Sequence, residues 1–139
     1  MSTISCTLLV DDDDTTNFLN QALLRRLAVA DKVLVATNGR EALELLQEHC
    51  EHPTSPTCPA LILLDMKMPI MNGMEFLEAY TKAPARRHPS VIIIMLTTSL
   101  NPKDVEQMQR LPIAGYLTKP LTTEKIQQVL REHFGQPAS

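Results

Sequence analysis

Apolar residues along this chain follow two different spacings, which alternate from one end to the other. Five short apolar runs predict β-strands, near residues 6–10, 32–36, 60–64, 91–96 and 113–117. The runs at 60–64 and 91–96 are apolar at every position. A run of that kind is typical of a strand buried on both faces, as in a parallel sheet covered by helices.

The stretches between these runs carry apolar residues at helical spacing. They predict five helices, near residues 15–28, 39–50, 73–82, 102–110 and 122–134. Asn38 is placed to cap the second helix, and Asn101 precedes a proline at the first position of the fourth. The buried stripe expected for the first helix consists of Phe18, Leu19, Ala22, Leu23 and Leu27.

Polar residues that carry charge or a hydroxyl follow four of the predicted strands. Strict strand–helix alternation predicts an α/β fold with right-handed crossovers and a doubly wound sheet. Ligands of such sheets bind at the carboxyl ends of the strands. The residues that fall at these ends are Asp11, Asp12, Asp65, Thr97 and Lys119. We therefore expect them to form one site.

Three clustered carboxylates favour a bound cation, because two unit charges about 4 Å apart repel by about 4 kcal/mol at an effective dielectric near 20. Mg²⁺ suits hard oxygen ligands and needs only one or two carboxylates from the protein. A carboxylate left free can act as a nucleophile towards a phosphoryl group. Lys119 would offset charge on the phosphoryl oxygens, and Thr97 would donate a hydrogen bond.

Length and composition predict a single soluble domain over residues 1–139, with a core at about 5–134. The net charge of −3 argues against broad binding to nucleic acid or acidic lipid. No apolar segment approaches the roughly 20 residues of a membrane span. The first residues lack the features of a signal peptide, so a cytoplasmic location is expected.

The three cysteines, Cys6, Cys50 and Cys58, fit a reducing compartment. Cys6 lies in the first predicted strand and is expected in the core. His49, Cys50, His52 and Cys58 are residue types that bind zinc, but their spacing matches no familiar zinc site. A helix end followed by a proline-rich loop over 51–59 is the preferred interpretation, and zinc is kept as the alternative.

Taken together, the motifs resemble the receiver domain of bacterial two-component response regulators. The matching segments are Leu8–Asp13, Leu63–Pro69 with Asn72 and Gly73, Met95–Thr98 and Gly115–Pro120. The resemblance covers about residues 5–134. It implies a flavodoxin-like (βα)5 fold, with a five-stranded parallel sheet in the order 2-1-3-4-5.

The resemblance also implies a role for each site residue. Asp65 would be the phosphoacceptor, taking a phosphoryl group from a phosphohistidine. Mg²⁺ would be bound by Asp11, Asp12, Asp65 and the main-chain carbonyl of Lys67. Lys119, followed by a cis bond to Pro120, would pair with the phosphoryl group. Thr97 and Tyr116 would form the switch pair.

The implied function is a phosphorylation-activated signalling switch, with no enzyme activity beyond its own phosphorylation and dephosphorylation. Its partners would be a sensor histidine kinase or phosphotransfer protein and a downstream protein target. Direct nucleic-acid or membrane binding is not expected, and dimerisation on phosphorylation is left open. No output domain follows in this sequence, which fits a stand-alone receiver or one cut from a longer protein.

Two alternatives remain from the sequence. Asp11, Asp13 and Thr15 match the Asp-x-Asp-x-Thr motif of haloacid-dehalogenase-type phosphatases, with Asp11 as nucleophile and Asp13 as acid and base. That assignment leaves Asp65 and the segment after it without a role. The other alternative is a receiver-like binding module that is never phosphorylated.

Overall fold

The computed structural model of the protein describes residues 4–50, 57–82, 91–98 and 101–135. Residues 51–56 of the proline-rich loop, including His52, lie outside the described part of the chain.

Five parallel strands form one sheet. Their order across the sheet is β2-β1-β3-β4-β5, as the resemblance implied. The strands are β1 (Ile4–Val10), β2 (Ala30–Ala36), β3 (Leu61–Asp65), β4 (Ile92–Thr97) and β5 (Gly115–Thr118). The chain order reverses between β1 and β3, which are hydrogen-bonded neighbours, and this pair marks the switch point of the doubly wound fold.

Five helices alternate with the strands. They are α1 (Asp14–Arg26), α2 (Gly39–His49), α3 (Gly73–Thr81), α4 (Pro102–Gln109) and α5 (Thr123–Phe134). Asn38 accepts a hydrogen bond from the Glu41 N–H, and Asn101 accepts one from the Asp104 N–H, as predicted. These caps satisfy main-chain donors that the first helical turn leaves without partners.

The sheet separates two apolar clusters, because side chains alternate between its faces along each strand. Leu8 and Val10 point into one cluster, beneath α2, α3 and α4, whereas Leu9 points into the other, beneath α1 and α5. Strands β3 and β4 contribute to both clusters. Their continuous apolar runs are explained by this burial on two faces.

The predicted buried stripe of α1 is wrong for three of its five members. Phe18 and Leu19 are 68% and 60% exposed, and Ala22 is exposed as well. Leu23 and Leu27 do pack partly against the core. The face that α1 buries most deeply consists of Asn17, Asn20 and Leu24. Asn17 is accommodated there because its amide donates to the main-chain carbonyl of Asp11, at 2.8 Å.

Cys50 and Cys58 form a disulfide, with an S–S distance of 2.10 Å. The three cysteines were expected to lie in a reducing compartment, where disulfides are rare, so this pairing was not predicted from the sequence. The disulfide also uses both thiols that the alternative zinc site would need. Cys6 is a free, fully buried residue of β1, as predicted.

Candidate functional site

Asp65 is the last residue of β3, at the carboxyl edge of the sheet. β3 lies between β1 and β4, so the ends of three strands meet around this side chain. Asp65 is only 7% exposed. The sequence places it after an apolar run, and the sheet places it at the switch point where ligands of such folds bind.

Three carboxylates converge at this point. One oxygen each from Asp11, Asp12 and Asp65 lies within 4.8 Å of the others. Asp11 and Asp65 are buried, whereas Asp12 is exposed. Burial and the neighbouring charge of Asp11 together raise the pKa of Asp65 above its ordinary value. The hard-oxygen donors fit a divalent cation such as Mg²⁺, and a cation would relieve the repulsion among them.

Lys119 completes the cluster as its one close cationic partner among the described residues. Its Nζ lies 2.6 Å from Asp11 Oδ2 and 3.2 Å from Asp65 Oδ1. Burial disfavours the charged ammonium, but the hydrogen bond from Lys119 to Asp11 and the charge of Asp65 outweigh it and raise the pKa of Lys119. Lys119 is therefore fully charged at neutral pH. The peptide bond to Pro120 is cis, as the resemblance implied.

The β1–α1 loop is shaped by hydrogen bonds of its own acidic residues. The Asp13 N–H donates to Asp11 Oδ1 at 2.9 Å, which fixes one oxygen of that carboxylate. Asp13 itself caps α1, accepting from the Thr15 N–H and, at 2.6 Å, from the Thr16 hydroxyl. The Thr16 hydrogen bond lowers the pKa of Asp13. Asp13 is thus a cap rather than an acid that holds a proton for catalysis.

The loop after Asp65 approaches the strand end very closely. The Gly73 N–H donates to the Met66 carbonyl at 3.1 Å, and a Cβ on Gly73 would lie 2.6 Å from the Asp65 carbonyl oxygen. Asn72 and Glu75 form a capping box at the start of α3. In the same loop Ile70 has a positive φ of 66° and is 74% exposed. A β-branched residue rarely adopts this conformation.

Thr97 and Tyr116 lie on adjacent strands, with Thr97 at the carboxyl end of β4 and Tyr116 paired with Met95, two residues before that end. Thr97 is buried at the end of β4, and its carbonyl accepts from the Lys119 N–H at 2.8 Å. Tyr116 is half-buried and packs against the cluster beneath α2, α3 and α4. The acceptor edge and the fifth strand are therefore joined through the main chain of Thr97 and Lys119.

Two supporting residues were not predicted from the sequence. Asn17 holds the carbonyl of Asp11 from α1. Lys125 of α5 donates to the Thr118 and Pro120 carbonyls, at 2.7 and 3.0 Å, and so braces the turn that carries Lys119. A supporting role for Asn17 could have been inferred from the sequence, since it is a polar residue on a helix face that must pack against the sheet. Nothing in the sequence indicated a role for Lys125, because lysines on helices are usually solvated.

The family model described as the response regulator receiver domain matches residues 7–131, which is most of the chain. The protein belongs to the response regulator receiver family. The receiver is 33% identical to the response regulator Rcp1 of Synechocystis over 112 residues, covering 81% of this chain and 74% of the relative.

Solved structures agree with this assignment. A two-component response regulator from Cytophaga hutchinsonii superposes with a TM-score of 0.82 at 26% identity, covering 94% of the receiver and 97% of that chain. The chemotaxis protein CheY4 of Vibrio cholerae superposes with a TM-score of 0.75 at 26% identity, covering 94% and 98%.

The receiver is a phosphorylation-activated switch of two-component signalling, as its family membership establishes, and its aspartate cluster can hold a divalent metal ion. The phosphatase alternative is not favoured by any of these relationships. Among the residues that the structure describes, no helix is long and apolar enough to span a membrane.

Proposed function

We propose that Asp65 accepts a phosphoryl group from a phosphohistidine on a sensor histidine kinase or phosphotransfer protein. The observation that carries this proposal is the convergence of Asp11, Asp12, Asp65 and Lys119 on one edge of the sheet. Asp65 is the central member, since it ends the middle strand of the sheet and lies within reach of both the other acids and the lysine. We also propose that residues 1–139 form one domain, because all five strands belong to a single sheet.

In this reaction a carboxylate oxygen of Asp65 attacks phosphorus while the bond from phosphorus to the histidine nitrogen breaks. The imidazole leaves with that electron pair and takes up a proton. Asp11, Asp12, Asp65 and the Lys67 carbonyl would hold Mg²⁺, which offsets the negative charge on the phosphoryl oxygens when bound. The domain would catalyse no reaction beyond this phosphorylation and the hydrolysis that reverses it.

Lys119 is the cation that would pair with the phosphoryl group once Asp65 is modified. It already contacts Asp65, at 3.2 Å, so a small side-chain movement would bring its Nζ to a phosphoryl oxygen. The Thr97 hydroxyl would donate to another oxygen, and Tyr116 would change rotamer as Thr97 moves. A phosphoryl group, with about two negative charges and three strong acceptors, supplies enough differential interaction to shift such an equilibrium.

The phosphoryl donor would dock on the apolar surface that borders the site. Phe18 and Leu19 of α1 are exposed, and Leu19 lines a groove of about 640 Å³ that also includes Lys119, Pro120 and Leu121. Ile70 is exposed in the loop that follows Asp65. A donor that reaches a nearly buried carboxylate must cover this rim, and exposed apolar side chains there favour protein contact.

The downstream target would be a protein that binds the surface formed by α4, β5 and α5, with dimerisation on phosphorylation left open. Nucleic acid and membranes would not be direct partners. A cytoplasmic location belongs to the same proposal, because phosphohistidine donors are charged from nucleoside triphosphates inside the cell.

The decisive test is modification by a small phosphoryl donor. Incubation with acetyl phosphate and Mg²⁺ should add one phosphoryl group to the intact mass, and peptide mapping should place it on Asp65. Asp65→Asn should abolish the addition. Asp31→Asn, which changes an exposed acid of β2 away from the cluster, should leave it intact.

Two results would contradict the proposal. An unchanged mass in the unsubstituted protein would favour a binding module that is never phosphorylated. Labelling of Asp11, with turnover of small phosphate esters, would favour the phosphatase assignment.

A further inference from the structure

The disulfide connects the end of one helix to the start of the acceptor strand. Cys50 directly follows α2, and its N–H donates to the Leu46 carbonyl at 2.9 Å. Cys58 lies three residues before Leu61, the first residue of β3. The two Cα atoms are 4.7 Å apart. The bond therefore holds the beginning of β3 against the end of α2.

Both sulfurs lie inside the core rather than on the surface. Cys50 and Cys58 are 2% and 8% exposed, and both belong to the cluster that contains Leu46, Ile62 and Tyr80. A reductant can reach the bond only when this junction opens locally. The same packing holds the two thiols close together in the reduced protein, which favours their oxidation.

A second link joins α2 to the loop that follows β3. The N–H of Gly39, the first residue of α2, donates to the Met71 carbonyl at 2.8 Å. Met71 belongs to the loop that follows Asp65. Helix α2 is thus linked at its first residue to the loop that follows β3, by this hydrogen bond, and just after its last residue to the segment that enters β3, by the disulfide. Only the second of these two links depends on redox conditions.

We propose that Cys50 and Cys58 are a redox modification site whose disulfide fastens the strand carrying Asp65 to helix α2. The proposal goes beyond the phosphoacceptor role and does not depend on it. Oxidation removes two electrons and two protons from the thiols and forms the S–S bond. The oxidant is a disulfide, either of a dithiol–disulfide oxidoreductase or of glutathione, which accepts them and becomes two thiols.

Cys6 provides an internal control for this site. It is fully buried in β1, and burial raises the pKa of its thiol to about 11. It is free, so it reports one reactive thiol in every redox state once the protein is denatured. Its strand lies in the same sheet, so its alkylation in the native protein also reports any general loosening of the fold.

Thiol counting tests whether the bond forms. Protein equilibrated with glutathione disulfide is denatured in guanidinium chloride and alkylated with N-ethylmaleimide. Intact mass should show one adduct, from Cys6, and prior reduction with dithiothreitol should raise the count to three. The Cys50→Ser/Cys58→Ser variant should show one adduct under both conditions. Three adducts from the oxidised unsubstituted protein would overturn the proposal.

Thermal unfolding and hydrogen exchange test whether the bond fastens the strand. Dithiothreitol should lower the Tm of the oxidised protein by about 5–10 °C, as expected for opening a short closed loop. It should also speed amide exchange in α2 and at the start of β3 more than in β5. The doubly substituted variant should have a Tm that does not respond to dithiothreitol. An unchanged Tm and exchange pattern on reduction of the unsubstituted protein would overturn the proposal.

Discussion

Asp65 combines two properties that oppose each other in the folded protein. Its position at the end of a central strand buries it, and its role requires an ionised oxygen. Burial, together with the charge of Asp11, raises the pKa of Asp65, and Lys119 offsets only part of that effect. Ionised Asp65 therefore reduces native stability in the metal-free protein, as is common for groups held in place for function.

This balance predicts that Asp65→Asn stabilises the metal-free fold. Because the pKa of Asp65 is raised on folding, its ionisation costs nothing below about pH 4 and progressively more as pH rises through the folded value. The variant should gain about 1 kcal/mol in free energy of unfolding at pH 7 and nothing near pH 3. Urea unfolding followed by circular dichroism measures both.

Glu48→Gln is the matched control, since it removes an exposed acid of α2, and it should change the free energy of unfolding by less than about 0.5 kcal/mol. Equal effects of the two substitutions at pH 7 would contradict the view that the cluster is electrostatically strained. So would a stability gain of Asp65→Asn that persists at pH 3.

At the scale of single elements, the start of α3 is held against the end of β3 by a close main-chain contact. Gly73 is the first residue of α3, and a Cβ there would lie 2.6 Å from the Asp65 carbonyl oxygen. The carbonyl cannot move away freely, because it belongs to the strand that carries the acceptor. The absence of a side chain at Gly73 therefore sets how closely the loop can pass the site.

Gly73→Ala should consequently destabilise the protein by about 2 kcal/mol, through overpacking that neither backbone can relieve. It should also slow acetyl phosphate labelling of Asp65, because the acceptor end of β3 has to shift. Gly115→Ala is the control, since a Cβ there would meet only Ile94 Cδ1, at 3.7 Å. Urea unfolding and intact mass measure the two effects. Equal losses in both variants would refute this role of Gly73.

The elements themselves were largely predictable from periodicity. The fourth strand, for example, was expected near 91–96 and spans Ile92–Thr97, because an apolar run this short and this rich in β-branched residues favours a buried strand over a helix. The edge of the sheet that carries the site followed from the same pattern. Most of the buried face of α1 could not be predicted from the pattern, because Phe18 and Leu19 match helical spacing as well as Asn17 does.

The features that the sequence could not supply depend on contacts that form only in the folded chain. Asn17 is buried because a main-chain carbonyl of the preceding loop accepts its hydrogen bond. Cys50 and Cys58 pair because α2 and β3 bring them together, a proximity that spacing does not reveal. The meeting of Lys119 with Asp11, 108 residues earlier in the chain, was predictable, because both residues follow parallel strands at the same edge of the sheet.

At the scale of the whole molecule, the exposed large apolar side chains are concentrated at the acceptor end. Among the described residues these are Phe18, Leu19 and Ile70. Ile70 keeps a positive φ that a glycine would adopt more easily, which is typical of a residue retained for contact rather than for stability. A protein donor would meet these side chains, whereas a small phosphoryl donor would not.

Phe18→Ala should therefore slow phosphoryl transfer from a phosphorylated histidine phosphotransfer protein by roughly tenfold, the size expected for loss of an aromatic anchor. Labelling by acetyl phosphate should stay within about twofold of the unsubstituted rate. Gln128→Ala, an exposed position on α5, is the control for both reactions. Equal slowing with the two donors would show that Phe18 acts on the site itself and not on docking.

The contact of Lys119 with both Asp11 and Asp65 has a consequence for metal binding. Any incoming divalent ion has to share these oxygens with an ammonium that already neutralises part of their charge. Lys119→Ala should therefore bind Mg²⁺ about tenfold more tightly, because one like charge is removed from a partly screened site. Isothermal titration calorimetry measures this, with Lys103→Ala on exposed α4 as control. Unchanged or weaker affinity would refute the competition.

A pocket of acids without such a resident counter-ion would stay filled down to lower concentrations of magnesium. With Lys119 in place, Mg²⁺ has to compete with an ammonium, so the fraction of sites that hold the metal rises and falls with its concentration. The fraction of molecules able to accept a phosphoryl group would then depend on the free Mg²⁺ concentration in the cell.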